Sequence, residues 1–271
     1  MRVGISVSPT KSRFGPVLYA EDFEALCALL SGLGYSGIEL SLVSAAALTP
    51  SREQSIGRHG LKVFSIATGQ SYIQEGICLY SVSESNRTKA VERLKSFLPI
   101  AEEHGCAVIV GGIRGNEQVP EDLLAEVKAK GDQALREVAE SAGQRGVSLL
   151  LEPINRYESR FYNSVSSCAS LIQNSALSNV KILVDTFHMN IEEPSLQDSL
   201  SVHSPLIGYI HVADSNRLFP GAGHLDFRSF FSAVRSCAFA GVIGLEVLPL
   251  PDSQAAASRS IREVQSYLKE V

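Results

Sequence analysis

Several things are scarce in this chain, and each scarcity narrows what it can be. The five cysteines, Cys27, Cys78, Cys106, Cys168 and Cys237, are widely spaced, odd in number and form no CxxC pair. That pattern speaks against a disulfide framework or a cysteine zinc site, and for buried reduced thiols in a cytoplasmic protein. No run of Lys or Arg occurs and the net charge is −5 at pH 7, so no basic face for nucleic acid is expected. No apolar stretch approaches the length that spans a membrane. The opening MRVGISVSPT turns polar too soon for a signal peptide and reads as a first strand. No Pro-rich or Ser-rich linker interrupts residues 1–271, which are expected to form one domain. A phosphate loop with a helix-opening lysine is missing as well, and Gly221-Ala-Gly223 reads as a tight turn. Phosphorylated substrates are therefore disfavoured.

What is present is an ordinary soluble globular composition, 45% apolar and 20% charged. Short apolar, β-rich runs recur at 3–7, 37–40, 62–67, 107–111, 148–152, 181–185, 207–212 and 242–247. Between them lie segments of helical periodicity at 20–33, 84–104, 121–144, 164–174, 227–237 and 255–269. Asp22 and Ser166 fall near helix starts. Four strands are preceded by glycine where a helix should end, in Gly34-Tyr-Ser-Gly37, His104-Gly-Cys106, Arg145-Gly146 and Ala240-Gly241. Unbroken βα alternation implies a parallel sheet. Eight units favour closure into an α/β (β/α)8 TIM barrel over an open doubly wound sheet. The weakly patterned stretch 68–86 follows the third strand and is a candidate lid.

Catalytic side chains of such barrels sit at strand C-termini. Strands five to eight end in Glu152, Asp185, His211 and Glu246, each closing a largely apolar run. One strand-end carboxylate alone is more often a cap or an ion-pair partner. Four in register are another matter, because buried unpaired charges are costly and a shared cation removes the cost. Three carboxylates and one imidazole suit one hard or borderline divalent ion, Mn²⁺ foremost, with Co²⁺, Mg²⁺ or Zn²⁺ as alternatives.

The stretches Leu151-Glu-Pro-Ile-Asn-Arg-Tyr-Glu158, Val184-Asp-Thr-Phe-His-Met-Asn190, His211-Val-Ala-Asp-Ser-Asn-Arg217, Pro220-Gly-Ala-Gly-His224 and Leu245-Glu-Val247 resemble the xylose isomerase-like barrel superfamily. Within it they are most similar to the ketose 3-epimerases of the D-tagatose and D-psicose type, and to the branch with 5-keto-L-gluconate (D-tagaturonate) epimerase. The likeness is strongest from residue 147 onward. It implies that Glu152, Asp185, His211 and Glu246 are the metal ligands, with Glu152 and Glu246 doubling as catalytic acid and base. It implies further that Glu158, His188 and Arg217 hold the substrate's oxygens, and that the protein forms a dimer or tetramer. The reaction so implied is epimerisation of a free ketose or keto sugar acid beside its carbonyl, through an enediolate. Two bases straddling one carbon suit removal of its proton and its return to the other face.

Other residues stay open at this level. Glu39 could contact substrate, orient a ligand or form a structural ion pair. Arg114 could face a sugar carboxylate, with a solvated loop position favoured. Gln70 and Tyr72 could line the pocket, and His224 could bind substrate or be structural. His59, His104 and His203 read as surface residues. Rival functions are a hydroxypyruvate-type isomerase, an inosose dehydratase, a DNA-repair endonuclease, and a non-catalytic sugar- or metal-binding barrel. The endonuclease needs more ligands and a basic face.

Overall fold

A run of β-branched and aliphatic residues with water on neither side forms a parallel strand between two apolar layers. The computed structural model describes residues 1–12 and 15–270, and it contains eight such strands. They are β1 (Arg2–Val7), β2 (Gly37–Ser41), β3 (Lys62–Ala67), β4 (Ala107–Val110), β5 (Leu149–Leu151), β6 (Val180–Asp185), β7 (Ile207–Val212) and β8 (Val242–Leu245). Each pairs in parallel with the next, and β1 closes on β8 with Arg2 opposite Val242 and Ile5 opposite Leu245. The eight-stranded barrel expected from the alternation is therefore closed. β4, β5 and β8 end before the predicted boundaries, so Glu152 and Glu246 lie just past the ladder.

The surrounding helices are α1 (Phe23–Gly32), α2 (Pro50–Arg58), α3 (Gly69–Glu75), α4 (Glu84–His104), α5 (Leu124–Gly143), α6 (Val165–Asn174), α7 (Thr186–Glu192), α8 (Leu196–His203), α9 (Phe227–Ser236) and α10 (Ser253–Glu270). Asp22 caps α1 by accepting from the Ala25 amide. Before α6 the cap is Ser164, not Ser166. Its hydroxyl accepts from the Ser167 amide, and the Ser167 hydroxyl accepts from the Ser164 amide in return. Gly34, Gly105 and Gly146 take the left-handed conformation expected of the αβ turns, whereas before β8 that role falls to Ala238 (φ 51°). No helix among the described residues is long and apolar enough to cross a membrane.

Two apolar layers result. The larger lies between barrel and helices. The smaller fills the barrel floor with Phe64, Ile109, Leu150, Leu183, Tyr209 and Val242. Above this floor the interior turns polar, with Ser6, Glu39, Ser65 and the strand-end acids all buried. The stretch 68–86, the candidate lid, begins with a helix packed against the barrel mouth. That helix is α3, pinned by Gln70 donating to Ser8 Oγ, Ser41 O and Ser41 Oγ, and by Ser71 donating to Val43 O. Four cysteines are buried and free as expected, but Cys237 is only half-buried.

Candidate metal centre and active site

The ends of β5 to β8 bring four side chains to one point. Ligand atoms of Glu152, Asp185, His211 and Glu246 all lie within 4.8 Å of one another, and all four residues are buried. His211 Nδ1 stands 3.6 Å from Glu152 Oε1, 3.8 Å from Asp185 Oδ2 and 3.7 Å from Glu246 Oε2. Glu152 Oε1, Asp185 Oδ2 and His211 Nδ1 have no hydrogen-bond partner. Buried polar atoms are seldom left so. Three ligand atoms that form no hydrogen bond, converging among three carboxylates and one imidazole, fit a divalent cation.

Local sequence explains each position. Asp185 ends β6 and also caps α7, its Oδ1 accepting from the Phe187 amide at 2.8 Å. The cap starts a short helix and carries His188 one turn onward, over the cluster. Gly111, after β4, has no side chain because a Cβ there would overlap the Glu152 carboxylate. Burial pushes Glu246 up to about 8, with Arg217 and His211 opposing and Glu152 and Asp185 reinforcing. Burial likewise takes His188 down to about 4, against the pull of Asp185.

Residues around the cluster hold it in place. His211 Nε2 donates to Glu39 Oε2 at 2.9 Å, and Ser65 Oγ donates to the same oxygen at 2.7 Å. This fixes Nδ1 toward the cluster. Of the readings open for Glu39, substrate contact falls away, because Glu39 does not line the cavity and is ion-paired with His211. Arg217 Nη2 pairs with Glu246 Oε2, and Nη1 lies 2.9 Å from Asp185 Oδ2. Its guanidinium also covers the Phe187 ring at 4.6 Å. Arg217 sits in a left-handed backbone conformation (φ 62°). The loop holding it there is wound on Asp214, whose carboxylate accepts from the amides of Ser215, Gly221 and Leu225. Burial pushes Asp214 upward, but amides led by that of Gly223 outweigh it and leave the carboxyl below its ordinary value. Sequence reasoning passed over Asp214. An acid followed by a Gly-rich turn was the available signal.

Beside the cluster opens a cavity of about 310 Å³. Glu152, His188, His211, Glu246 and Glu158 face it, with Tyr72, Ile73, Ile154 and Tyr157 as its apolar wall. Glu158 accepts from Asn155 Nδ2 at 2.8 Å. Of the seven residues singled out for metal and substrate, Asp185 and Arg217 are absent from the cavity wall, and Arg217 is turned onto two of the acids.

Two expectations change. Arg114 is not a solvated loop residue but among the largest fully buried side chains. Its Nη1 and Nη2 donate to the carbonyls of Phe161 and Glu152, and it does not line the cavity. Gln70 is buried behind the wall, and only Tyr72 of that pair lines the cavity. His224 bonds Ser215 Oγ in an exposed loop away from the cavity. His59 and His104 are half-buried on helix ends, paired with Glu24 and Glu53.

Among known proteins, the chain is 28% identical over 234 residues to D-psicose 3-epimerase of Enterocloster bolteae, covering 83% of this chain and 76% of that protein. It is 32% identical over 168 residues to 3-dehydro-D-guloside 4-epimerase of Escherichia coli, covering 59% and 63% respectively. Across the first curated relatives the matched stretch covers from 41% to 76% of their length. A solved L-ribulose 3-epimerase superposes with a TM-score of 0.84 at 25% identity, covering 99% of this chain and 95% of that one. The conserved architecture and these epimerase relatives accompany a match to residues 27–269, by which this chain belongs to the xylose isomerase-like TIM barrel family.

Proposed function

We propose that this protein is a metal-dependent epimerase that inverts the carbon beside the carbonyl of a free sugar. The observation that carries this reading is the meeting of Glu152 and Glu246, delivered from β5 and β8 with two strands between, at the floor of a cavity of monosaccharide size. Inversion next to a ketone needs one group to take a carbon-bound proton and another to return one from the opposite side. The two groups must differ in protonation. Burial pushes the Glu246 carboxyl up to about 8, toward its protonated form. A divalent ion held by Glu152, Asp185, His211 and Glu246 would supply Lewis-acid polarisation of the ketone.

The chain's own residues account for the rest. His188 and Glu158 face the cavity and hold the sugar's oxygens, and Arg217 lies against Glu246 and Asp185, where it tempers their charge. Among the described residues no Lys or Arg lines the cavity. The names of the relatives agree on the chemistry. A 3-epimerase of psicose and a 4-epimerase of a 3-dehydro sugar both invert a carbon adjacent to the keto group.

The test is incubation of the Mn²⁺-loaded protein with a panel of ketoses and keto acids in D₂O, with the sugars recovered and read by mass spectrometry and NMR. One deuterium is expected at the inverted carbon of a ketose or keto acid in the panel. A panel with no deuterium anywhere would overturn the reading. Loss of water with a new absorbance would instead establish a dehydratase.

A further inference from the structure

We propose that Asn155, which does not line the cavity, is the positioning residue that fixes His188 as a hydrogen-bond donor to the sugar. The proposal rests on the reading of His188 as a substrate contact.

Asn155 is 1% exposed and sits in the turn after β5. Its backbone carbonyl accepts from the amides of Glu158 and Ser159, both at 3.0 Å. Its side-chain Oδ1 accepts from the Tyr157 amide, also at 3.0 Å. That last contact settles which end of the side chain is oxygen, because a backbone N–H can meet only an acceptor. The amino end is then committed to two partners, Glu158 Oε1 at 2.8 Å and His188 Nδ1 at 2.8 Å.

An amino group carries only donors, so Nδ1 of His188 presents its lone pair to it. A proton on Nδ1 would set two hydrogens against each other at that distance. The ring's proton therefore sits on Nε2. Nε2 lies 4.0 Å from Glu152 Oε1 and 4.0 Å from Asp185 Oδ2, and His188 lines the cavity. The N–H is thus presented above the acid cluster, where a hydroxyl or carbonyl oxygen of the sugar would lie. The second hydrogen of the same amino group holds Glu158, which also lines the cavity. One buried amide sets the polarity of one sugar contact and the position of another.

The proposal is tested first by long-range ¹H–¹⁵N NMR of the ¹⁵N-labelled, metal-free protein, with the His188 signals assigned by their loss in His188→Gln. The wild type is expected to show the pattern of an Nε2-protonated neutral ring. In Asn155→Asp a carboxylate oxygen faces Nδ1, and the pattern should change to Nδ1-protonated or imidazolium. A wild-type ring protonated on Nδ1 would refute the assignment. So would an unchanged pattern in Asn155→Asp. If that variant does not fold, the wild-type spectrum alone decides. In the loaded enzyme, kcat/KM of Asn155→Ala for the ketose should fall roughly 10²-fold or more, the scale of losing one aligned donor. Full activity in Asn155→Ala would also refute it. A wild type with Nε2 protonated but no turnover of any ketose would leave the tautomer standing and remove the epimerase reading instead.

Discussion

Single residues carry the chemistry, and two predictions belong at that scale. With metal occupancy verified, Glu152→Gln and Glu246→Gln should each lower deuterium incorporation by about 10²- to 10⁴-fold, the usual worth of a general acid or base. A loss below tenfold in either would show that it moves no proton. Glu39→Gln should lower affinity for Mn²⁺ by about 10- to 100-fold, measured by calorimetry, because Glu39 holds the imidazole that would face the proposed ion. An unchanged dissociation constant would make the contact merely structural. The four clustered residues were legible in the sequence because each ends an apolar run that a solvated face would not tolerate. The roles of Glu39 and Arg114 were not. Glu39 meets His211 across 172 positions, and Arg114 meets the Glu152 carbonyl across 38. Neither separation leaves a local pattern.

At the scale of elements, the loop after β7 and the pairing of α1 with α2 each make a claim. Gly223 has no room for a Cβ, which would strike the Asp214 carboxylate. Gly223→Ala should destabilise the protein by about 1–3 kcal/mol and lower activity as well, since the same loop seats Arg217. A thermal midpoint and rate equal to wild type would show that the loop absorbs the methyl freely. Glu24 on α1 accepts from Ser55 on α2 and pairs with Arg58 and His59 beyond it. These contacts, Ser55 first, hold its carboxyl at about 2 against an ordinary 4.5. A carboxyl lowered on folding stabilises fully above its unfolded value and loses that effect as pH falls toward the folded one. The urea midpoint of wild type should therefore fall more steeply between about pH 4.5 and 2 than that of Glu24→Gln. Parallel curves would count against it. Strands were easier to read than helices here. β1, β3, β6 and β7 are near-continuous apolar runs bounded by polar turns. α7 has seven residues, too few to establish a period, and depends on the Asp185 cap.

For the whole molecule, closing the barrel concentrates buried negative charge at one end, and an ion bound there should stabilise the entire fold. Binding at about a hundredfold above the dissociation constant is worth about 2.7 kcal/mol, or roughly 5–10 °C in a chain of this size. Stripping the metal with a chelator should lower the thermal midpoint by that amount, and restoring Mn²⁺ should recover it. A midpoint indifferent to both would leave the cluster without an ion. The closed ring also divides its labour. Strands β5 to β8 deliver the acids and the imidazole, while Ser41, Ala67, Thr68, Tyr72 and Asn116, from the β2 to β4 side, wall the cavity. Part of the cavity wall is thus inherited apart from the acid cluster, while Ile154, Tyr157, Glu158 and His188 line it from the β5 and β6 side. Segments after β2, β3 and β4 can drift, or be exchanged by design, to admit a different sugar while the proton-transfer apparatus passes on unaltered.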